Sequence, residues 1–274
     1  MFPPTVIVGL HGSLTAHPWL DRVVERDPGG RIEEDLLALT VERAGSYGWQ
    51  TVSTWLNEGG EVTAHHEPTA WAHEEAGGDW ARDGRVRQLA WLQAGVLTDP
   101  PRPGLPVRPI ALVLAETLIR VGVPVFTGLH ALLPLDAAER NTAFHQIELA
   151  PWFALADPDA RYDVVVTVSC HPGAGVSDDD AAAVREAVRD MAQGAVEVSP
   201  SLTGGGLPGL DLDLSRVPHT AGMREAMRLG CRTREWSPDL AVWLLEMVAD
   251  ALRGAGRVVP VVVTVSLAEV GPST

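Results

Sequence analysis

The sequence predicts an α+β fold made of two ferredoxin-like halves, each with the element order β-α-β-β-α-β. The clearest unit runs from a β-branched strand at 164–170, through a glycine turn, to a helix at 181–191. In each half, a helix that ends in glycine leads into a Val-Pro-Val strand, at 123–125 and at 259–261. Residue identity between the halves is low, so we infer an internal duplication from the order of elements and their glycine punctuation.

The first half is expected to occupy residues 1–135, and its elements follow from hydrophobic period and turn residues. The predicted elements are, in order, a strand at 5–10, a helix at 31–44, strands at 50–56 and 61–66, a helix at 110–121 and a strand at 123–129. Residues 68–108 interrupt this order. We interpret them as a Trp-rich helical insertion, with a helix at 80–94 and a proline-rich stretch behind it.

A connector at 136–160 leads to the second half, which is expected at 161–274. The predicted elements are strands at 164–170, 195–202, 210–217 and 257–267, with helices at 181–191 and 240–252. Ser177 precedes three aspartates, as an N-cap precedes acids at the positive end of a helix. Ser237-Pro238 marks the start of the other helix, with proline in its first turn.

The arrangement of the halves follows from the strand that carries proline. A ferredoxin-like sheet has the strand order 4-1-3-2, which places the fourth strand at an edge. Proline cannot donate to a β-ladder and is confined to edges and strand starts, and Pro124 and Pro260 fall in the predicted fourth strands. Two such sheets either join edge to edge or face each other. The facing arrangement is similar to that of fused dimeric α+β-barrel proteins and would enclose an apolar cleft, a usual small-molecule site.

Composition excludes several classes of partner. The 274 residues carry a net charge of −15, and every basic side chain except histidine is arginine. Strong negative charge repels nucleic-acid phosphates and anionic membrane surfaces, so we expect neither as a partner. The sequence contains no apolar run of membrane-spanning length and no signal-peptide pattern. Cys170 and Cys231 are too few for a disulfide framework, and we expect a cytoplasmic protein with two reduced thiols.

Histidines near predicted strand ends are the candidates for catalysis. His11 and His171 end the first strands of the two halves, whereas His130 and the pair His65 and His66 fall at the opposite rim. Neighbours on a strand point to opposite faces, so only one residue of the His65–His66 pair can join a given site. Imidazoles and carboxylates transfer protons. The predicted catalytic residues are therefore His11, His65, His66, Glu67, His130 and His171. Solvated or strand-capping histidines are the structural alternative.

Tryptophans and one carboxylate are the candidates for substrate binding. Trp19, Trp55 and Trp71 belong to a tryptophan-rich first third that predicts a pocket wall or a subunit interface, with core filling as the alternative. Glu116 lies inside an apolar helix. Its carboxylate is either buried with a raised pKa, as a general base requires, or paired on the surface with Arg120 four residues on.

We therefore expect a small-molecule enzyme of specialised metabolism that uses proton transfer in an apolar cleft, without an organic cofactor or a metal. Cyclisation, isomerisation and elimination are the reaction types that such groups serve. One alternative is a non-catalytic binding or scaffold subunit that associates through sheet edges and the Trp-rich insertion. Another is a non-haem iron or zinc enzyme with ligands among His65, His66 and His130. We expect a homo- or hetero-oligomer in either of the first two cases.

Overall fold

The computed structural model describes residues 4–25, 36–46, 50–51, 70–71, 76–80, 83–95, 102–103, 105–139, 150–153, 155–200, 209–214 and 220–268. The strands are β1 (Thr5–Ala16), β2 (Gln50–Thr51), β3 (Ala70–Trp71), β4 (Ala76–Gly77), β5 (Arg87–Gly95), β6 (Arg102–Pro103), β7 (Gly122–Pro134), β8 (Ala138–Glu139), β9 (Tyr162–Cys170), β10 (Glu197–Pro200), β11 (Arg224–Thr233) and β12 (Pro260–Leu267). The helices are α1 (Leu20–Glu25), α2 (Leu36–Gly45), α3 (Val107–Val121), α4 (Ala150–Phe153), α5 (Asp178–Ala192) and α6 (Pro238–Gly254).

Eight of the strands form one large antiparallel sheet, so the protein has an α+β fold. The strand order is β10-β11-β9-β12-β7-β1-β5-β4. Of these eight strands, the four from residues 5–134 occupy one side of the sheet and the four from residues 162–267 occupy the other. The two sides meet where β12 pairs with β7, from Pro260 opposite Pro134 to Ser266 opposite Gly128.

The prolines of the two Val-Pro-Val segments lie at strand ends. Pro124 pairs with Leu14 of β1 and precedes the stretch of β7 that pairs with β12. Pro260 is the first residue of β12. At these positions the missing N–H disturbs the ladder least. The strands β7 and β12 themselves lie in the middle of the eight-stranded sheet, because they pair with each other along the edges that each would otherwise expose.

The helices pack on one face of the sheet and form the main core with it. Val8 of β1, Val166 of β9 and Val263 of β12 belong to a buried cluster that includes the inner faces of α3 and α6. The predicted helix starts are confirmed: the Ser177 side chain accepts from the Asp180 N–H, and the Ser237 side chain accepts from the Leu240 N–H. The second face of the sheet is left to a different set of side chains.

Two predictions for the first half differ from the structure: the end of one strand and the type of one element. The strand predicted at 5–10 continues to Ala16, because a β-bulge after His11 and the absence of a side chain at Gly12 let β1 pass close to Val125. The helix predicted at 80–94 is instead β5, and β4 pairs with it at the end of the main sheet. Residues 89–92 of β5 form an apolar run that is largely buried on both faces, and periodicity does not separate such a short run from a helix. The described part of 68–108 is therefore not a helical insertion.

One strand of the second half was also misplaced. Residues 210–214 alternate leucine and aspartate, but they form no strand of the sheet. Leu212 and Leu214 pack down on the second sheet face while Asp211 and Asp213 point outward, and any extended segment lying on a surface shows this alternation. The strand of the sheet is β11 instead. The strands predicted at 50–56 and 61–66 lie outside the described residues, apart from Gln50–Thr51.

The Glu246 side chain of α6 provides a test of how deeply the helices are buried against the sheet. Burial raises the pKa of Glu246 to about 7, against the opposing effects of the Arg108 charge and the Arg108 backbone N–H. A raised pKa in the folded state means that stability is lost as the pH rises from the ordinary value through about 7. We expect Glu246→Gln to keep the acceptor and to raise the free energy of unfolding by roughly 1–2 kcal/mol at about pH 8.

Urea denaturation at about pH 8 and about pH 4.5 measures this effect. The gain should almost disappear at the lower pH, where the carboxyl group is protonated in the folded protein and already half protonated in the unfolded chain. The exposed Glu186→Gln change is the matched control. An equal gain at both pH values would show that ionisation of Glu246 is not the cause.

Candidate functional site

Buried polar side chains are concentrated on the second face of the sheet, away from the helices. Strand register places them on adjacent strands near the centre of the sheet. Polar side chains that are this buried are uncommon unless they are hydrogen-bonded or functional. The set consists of His11, Gln93, His130, Thr167, Ser169, Thr264 and Ser266.

Two histidines lie in contact at the middle of this face. The His11 Nε2 atom is 2.8 Å from the His130 Nδ1 atom, and the two rings are tilted by 60°. Their exposed fractions are 0% and 4%. β1 and β7 pair antiparallel, which brings together two residues that are 119 positions apart in the sequence.

Two strand glycines provide the space that the His130 imidazole and the neighbouring residues 209 and 210 occupy. Gly9 lies opposite His130 in the β1–β7 ladder, and a Cβ atom at Gly9 would lie 2.7 Å from His130 Nδ1. Gly128 lies opposite His11, and a Cβ atom there would lie 2.8 Å from the Gly209 carbonyl oxygen. A glycine inside a strand is typical of a close approach by another group. The position without a side chain at Gly9 therefore makes room for the His130 ring, and the one at Gly128 makes room for residues 209 and 210, which precede Asp211.

The hydrogen-bond partners fix which ring nitrogen of each histidine carries the proton. The Asp211 backbone N–H donates to His11 Nδ1 over 3.1 Å. A backbone amide is always a donor, so neutral His11 carries its proton on Nε2 and donates it to His130 Nδ1. His130 in turn carries its proton on Nε2. The chain of donors runs from Asp211 through His11 to His130, and it ends on the His130 Nε2–H.

Both imidazoles are neutral near pH 7. Burial lowers the pKa of His130 to about 4. Burial, together with repulsion from a charged His130, holds the pKa of His11 well below its ordinary value. Each Nδ1 lone pair already accepts a hydrogen bond, so neither ring can take up a further proton unless one of these bonds breaks. The pair is therefore arranged to donate a hydrogen bond rather than to act as a base.

Residues 209–214, the cover segment, lie across this face. Three contacts hold the segment to the sheet. Thr127 Oγ1 donates to the Gly209 carbonyl oxygen over 2.8 Å, the Asp211 N–H bonds to His11, and Leu212 packs against a cluster that contains Ile7. Thr220 Oγ1 donates to the Leu214 carbonyl oxygen over 2.7 Å and fixes the end of the segment. His11 thus links the cover segment to His130.

The buried polar side chains on the second sheet face continue beyond His130 as a row of hydroxyl groups, and we call the whole set the polar row. Thr264 of β12 lies opposite His130, Thr167 of β9 lies opposite Thr264, and the two threonine hydroxyls are 2.5 Å apart. The Ser266 hydroxyl is buried and has no hydrogen-bond partner among the residues that the structure describes. Sequence reasoning missed these groups, although one signal was present: the hexapeptide VVVTVS occurs at both 164–169 and 261–266. Its two threonines are the residues that pair.

The structure unites only two of the predicted catalytic residues. His11 and His130 were expected at opposite rims. That was wrong, because both strands continue past these positions. His171 is exposed after the end of β9, about 13 Å along the strand from Thr167. His65, His66 and Glu67 lie outside the described residues.

The predicted substrate-binding residues are not brought to the histidine pair where they are described. Trp19 is 50% exposed beyond the end of β1 and stacks on His17. Glu116 pairs with Arg43 of α2, with 2.5 Å between Oε2 and Nε, whereas Arg120 was the suggested partner. Trp55 and the side chain of Trp71 fall in parts of the chain that are not described.

Within the described ranges, no group of three or more His, Cys, Asp or Glu side chains is placed to hold a metal ion. No helix in those ranges is long and apolar enough to cross a membrane. The chain was also compared with known proteins, and no protein-family model, curated protein or solved structure matched it.

Proposed function

We propose that the protein is a small-molecule enzyme of specialised metabolism in which the neutral His130 imidazole stabilises negative charge on a substrate oxygen. The observation that supports this proposal is the ordered donor chain from the Asp211 N–H through His11 to His130. Enolate-type charge develops in cyclisation, isomerisation and elimination next to a carbonyl group. A neutral imidazole with a lowered pKa is suited to donate a hydrogen bond to such charge.

Burial makes this donor effective. A fixed N–H in a water-poor site stabilises developing charge without reorganisation at the moment of reaction. The polar row on the second sheet face would contact the substrate, and the cover segment would close over it. The transferred proton needs a separate acceptor, and His65, His66 and Glu67 stay predictions for that role.

Exchange of carbonyl α-hydrogens in deuterated water tests the proposal without knowledge of the natural substrate. We expect the wild-type protein to accelerate exchange in at least one member of a panel of cyclic and acyclic ketones, followed by NMR. His130→Leu should lower that rate at least about tenfold, because a donor to the developing oxyanion is lost. The matched control is His171→Leu, which should leave the rate unchanged. Equal rates for His130→Leu and wild type would contradict the proposal.

A non-catalytic binding or scaffold subunit is the second candidate. Trp19, Ile119 and Val123 leave large apolar surfaces exposed, and the His17 side chain links the first two. Such a patch is typical of protein contact sites. Absence of exchange across the whole panel, together with a dimer mass in solution that Trp19→Ser reduces to a monomer, would favour this candidate. A metal on His130 is less well supported, because the lone pair of Nδ1 already accepts from His11.

We also propose that the two sides of the sheet are ferredoxin-like halves that arose by duplication and joined edge to edge. The order β7-β1-β5-β4 on one side and β12-β9-β11-β10 on the other both follow the 4-1-3-2 pattern. An experimental structure in which these two sets of strands fail to superpose would contradict this. A cytoplasmic location, where the buried free thiols Cys170 and Cys231 would stay reduced, is part of the same proposal.

A further inference from the structure

A small cavity lies at the end of the sheet where β9 begins and β11 ends. Its volume is about 160 Å³, well below the range of about 300–1,000 Å³ that is usual for drug-sized ligands. The side chains that define its chemistry are Phe153, Arg161, Glu197, Arg232, Thr233 and Arg234. Three of the chain's 21 arginines therefore meet at one small space in a protein whose net charge is −15.

The guanidinium groups around this cavity differ in how far their charge is compensated. Arg232 Nε donates to Asp163 Oδ1 over 2.9 Å. Arg161 Nη1 donates to the backbone carbonyls of Pro158 and Ala160, which orients the group without neutralising it. Within the described residues, neither Arg161 nor Arg234 forms an ion pair. The rim of the cavity therefore keeps positive charge that Glu197, the one carboxylate among the described lining residues, balances only in part.

A buried hydroxyl adds a neutral donor to the same space. Thr233 is 3% exposed, and its Oγ1 atom accepts from the Glu235 backbone N–H over 3.3 Å. This bond uses an acceptor lone pair of Thr233 and leaves the hydroxyl proton available to donate. The Phe153 ring, which is buried and stacked on Trp243, supplies an apolar surface in the same cavity.

We propose that this cavity binds a small organic anion, with a carboxylate or phosphate group held by Arg161, Arg234 and Thr233 and a short apolar body against Phe153. Guanidinium groups and hydroxyl donors match the oxygens of such headgroups. Glu197 lies across from Arg232 in the β10–β11 ladder. Its negative charge repels an anion and therefore lowers the affinity of the cavity for it. This site is distinct from the histidine pair. Arg228 of β11 lies in register with His130 of β7 but three strands away from it, and Arg232 lies about 13 Å further along β11.

Titration with benzoate, phenyl phosphate and benzamide, followed by NMR or calorimetry, tests this site. Benzamide matches benzoate in shape but carries no charge, and phenyl phosphate separates the two kinds of headgroup. We expect benzoate or phenyl phosphate to bind with saturation and benzamide not to bind. Arg234→Gln should weaken binding about tenfold, because one charge-assisted hydrogen bond is lost. Glu197→Gln should strengthen binding severalfold.

Arg224→Gln is the matched control, because it removes the same charge from the exposed, opposite end of β11. It should leave affinity within about twofold of the wild-type value, since well-separated surface charges are screened. The proposal is overturned if neither anion binds, if benzamide binds as tightly as benzoate, or if Arg224→Gln weakens binding as much as Arg234→Gln does. Weaker binding by Glu197→Gln would likewise overturn it.

Discussion

Acidification from about pH 6.5 to about pH 4 is expected to lower the free energy of unfolding by about 3 kcal/mol through His130 alone. The ordinary pKa of 6.5 is lowered to about 4 in the folded protein, because burial disfavours the charged imidazole. Between these two values the unfolded chain binds a proton that the folded chain does not. The stability that His130 contributes is therefore fully present above about pH 6.5 and is lost as the pH falls through about 4.

His11 adds to the same loss, since its pKa is also held below the ordinary value. Carboxyl groups titrate in part of this range, so the comparison is made between variants. Urea denaturation at closely spaced pH values should give a flatter profile for His130→Gln than for wild type, by about one proton. His171→Gln is the matched control and should keep the wild-type slope. A His130→Gln profile as steep as that of the wild type would show that His130 is not buried in its neutral form.

Replacement of Gly9 by alanine is expected to lower the free energy of unfolding by about 3 kcal/mol. The added methyl group would meet the His130 ring, with its Nδ1 atom only 2.7 Å away, and would push it from His11. His130 is buried between β1 and β12 and has little room to move. The His11 Nε2–H would lose its acceptor, which adds the cost of a buried, unsatisfied donor.

Gly45→Ala serves as the matched control, because a Cβ atom at that position meets nothing within 4 Å. It should change the unfolding free energy by less than about 0.5 kcal/mol. Chemical denaturation of both variants at about pH 7.5 measures the difference. If Gly9→Ala were no less stable than Gly45→Ala, the close contact between β1 and His130 would be contradicted.

Local signals account for the parts of the fold that the sequence predicted. The strand β9, the capped helices α5 and α6 and the apolar helix α3 all have boundaries close to those expected, because capping residues and apolar period act within a few positions. The strands β5 and β11 were not predicted. One is buried on both faces, and the other combines Met227, Leu229 and Cys231 with arginines, a composition that does not favour strands.

The candidate site depends on contacts between segments that are far apart in the sequence. His11 and His130 were each singled out, yet their contact depends on the register between β1 and β7, which no short segment encodes. The Asp211 N–H contact depends on the path of the cover segment over the sheet. Two local features did carry information about the site: the glycines Gly9 and Gly128 inside apolar strands, and the repeated VVVTVS segment with its paired threonines.

The tautomers of the two histidines are the most direct test of the proposed donor chain. Nitrogen-15 NMR of the imidazole side chains, recorded between about pH 8 and about pH 5, reports which nitrogen of each ring carries the proton. We expect both rings to be neutral and protonated on Nε2 throughout this range, with a scalar coupling between His11 Nε2 and His130 Nδ1 across their hydrogen bond. A proton on His11 Nδ1, or an imidazolium signal from either residue at about pH 6, would contradict the proposed role of His130 as a neutral donor.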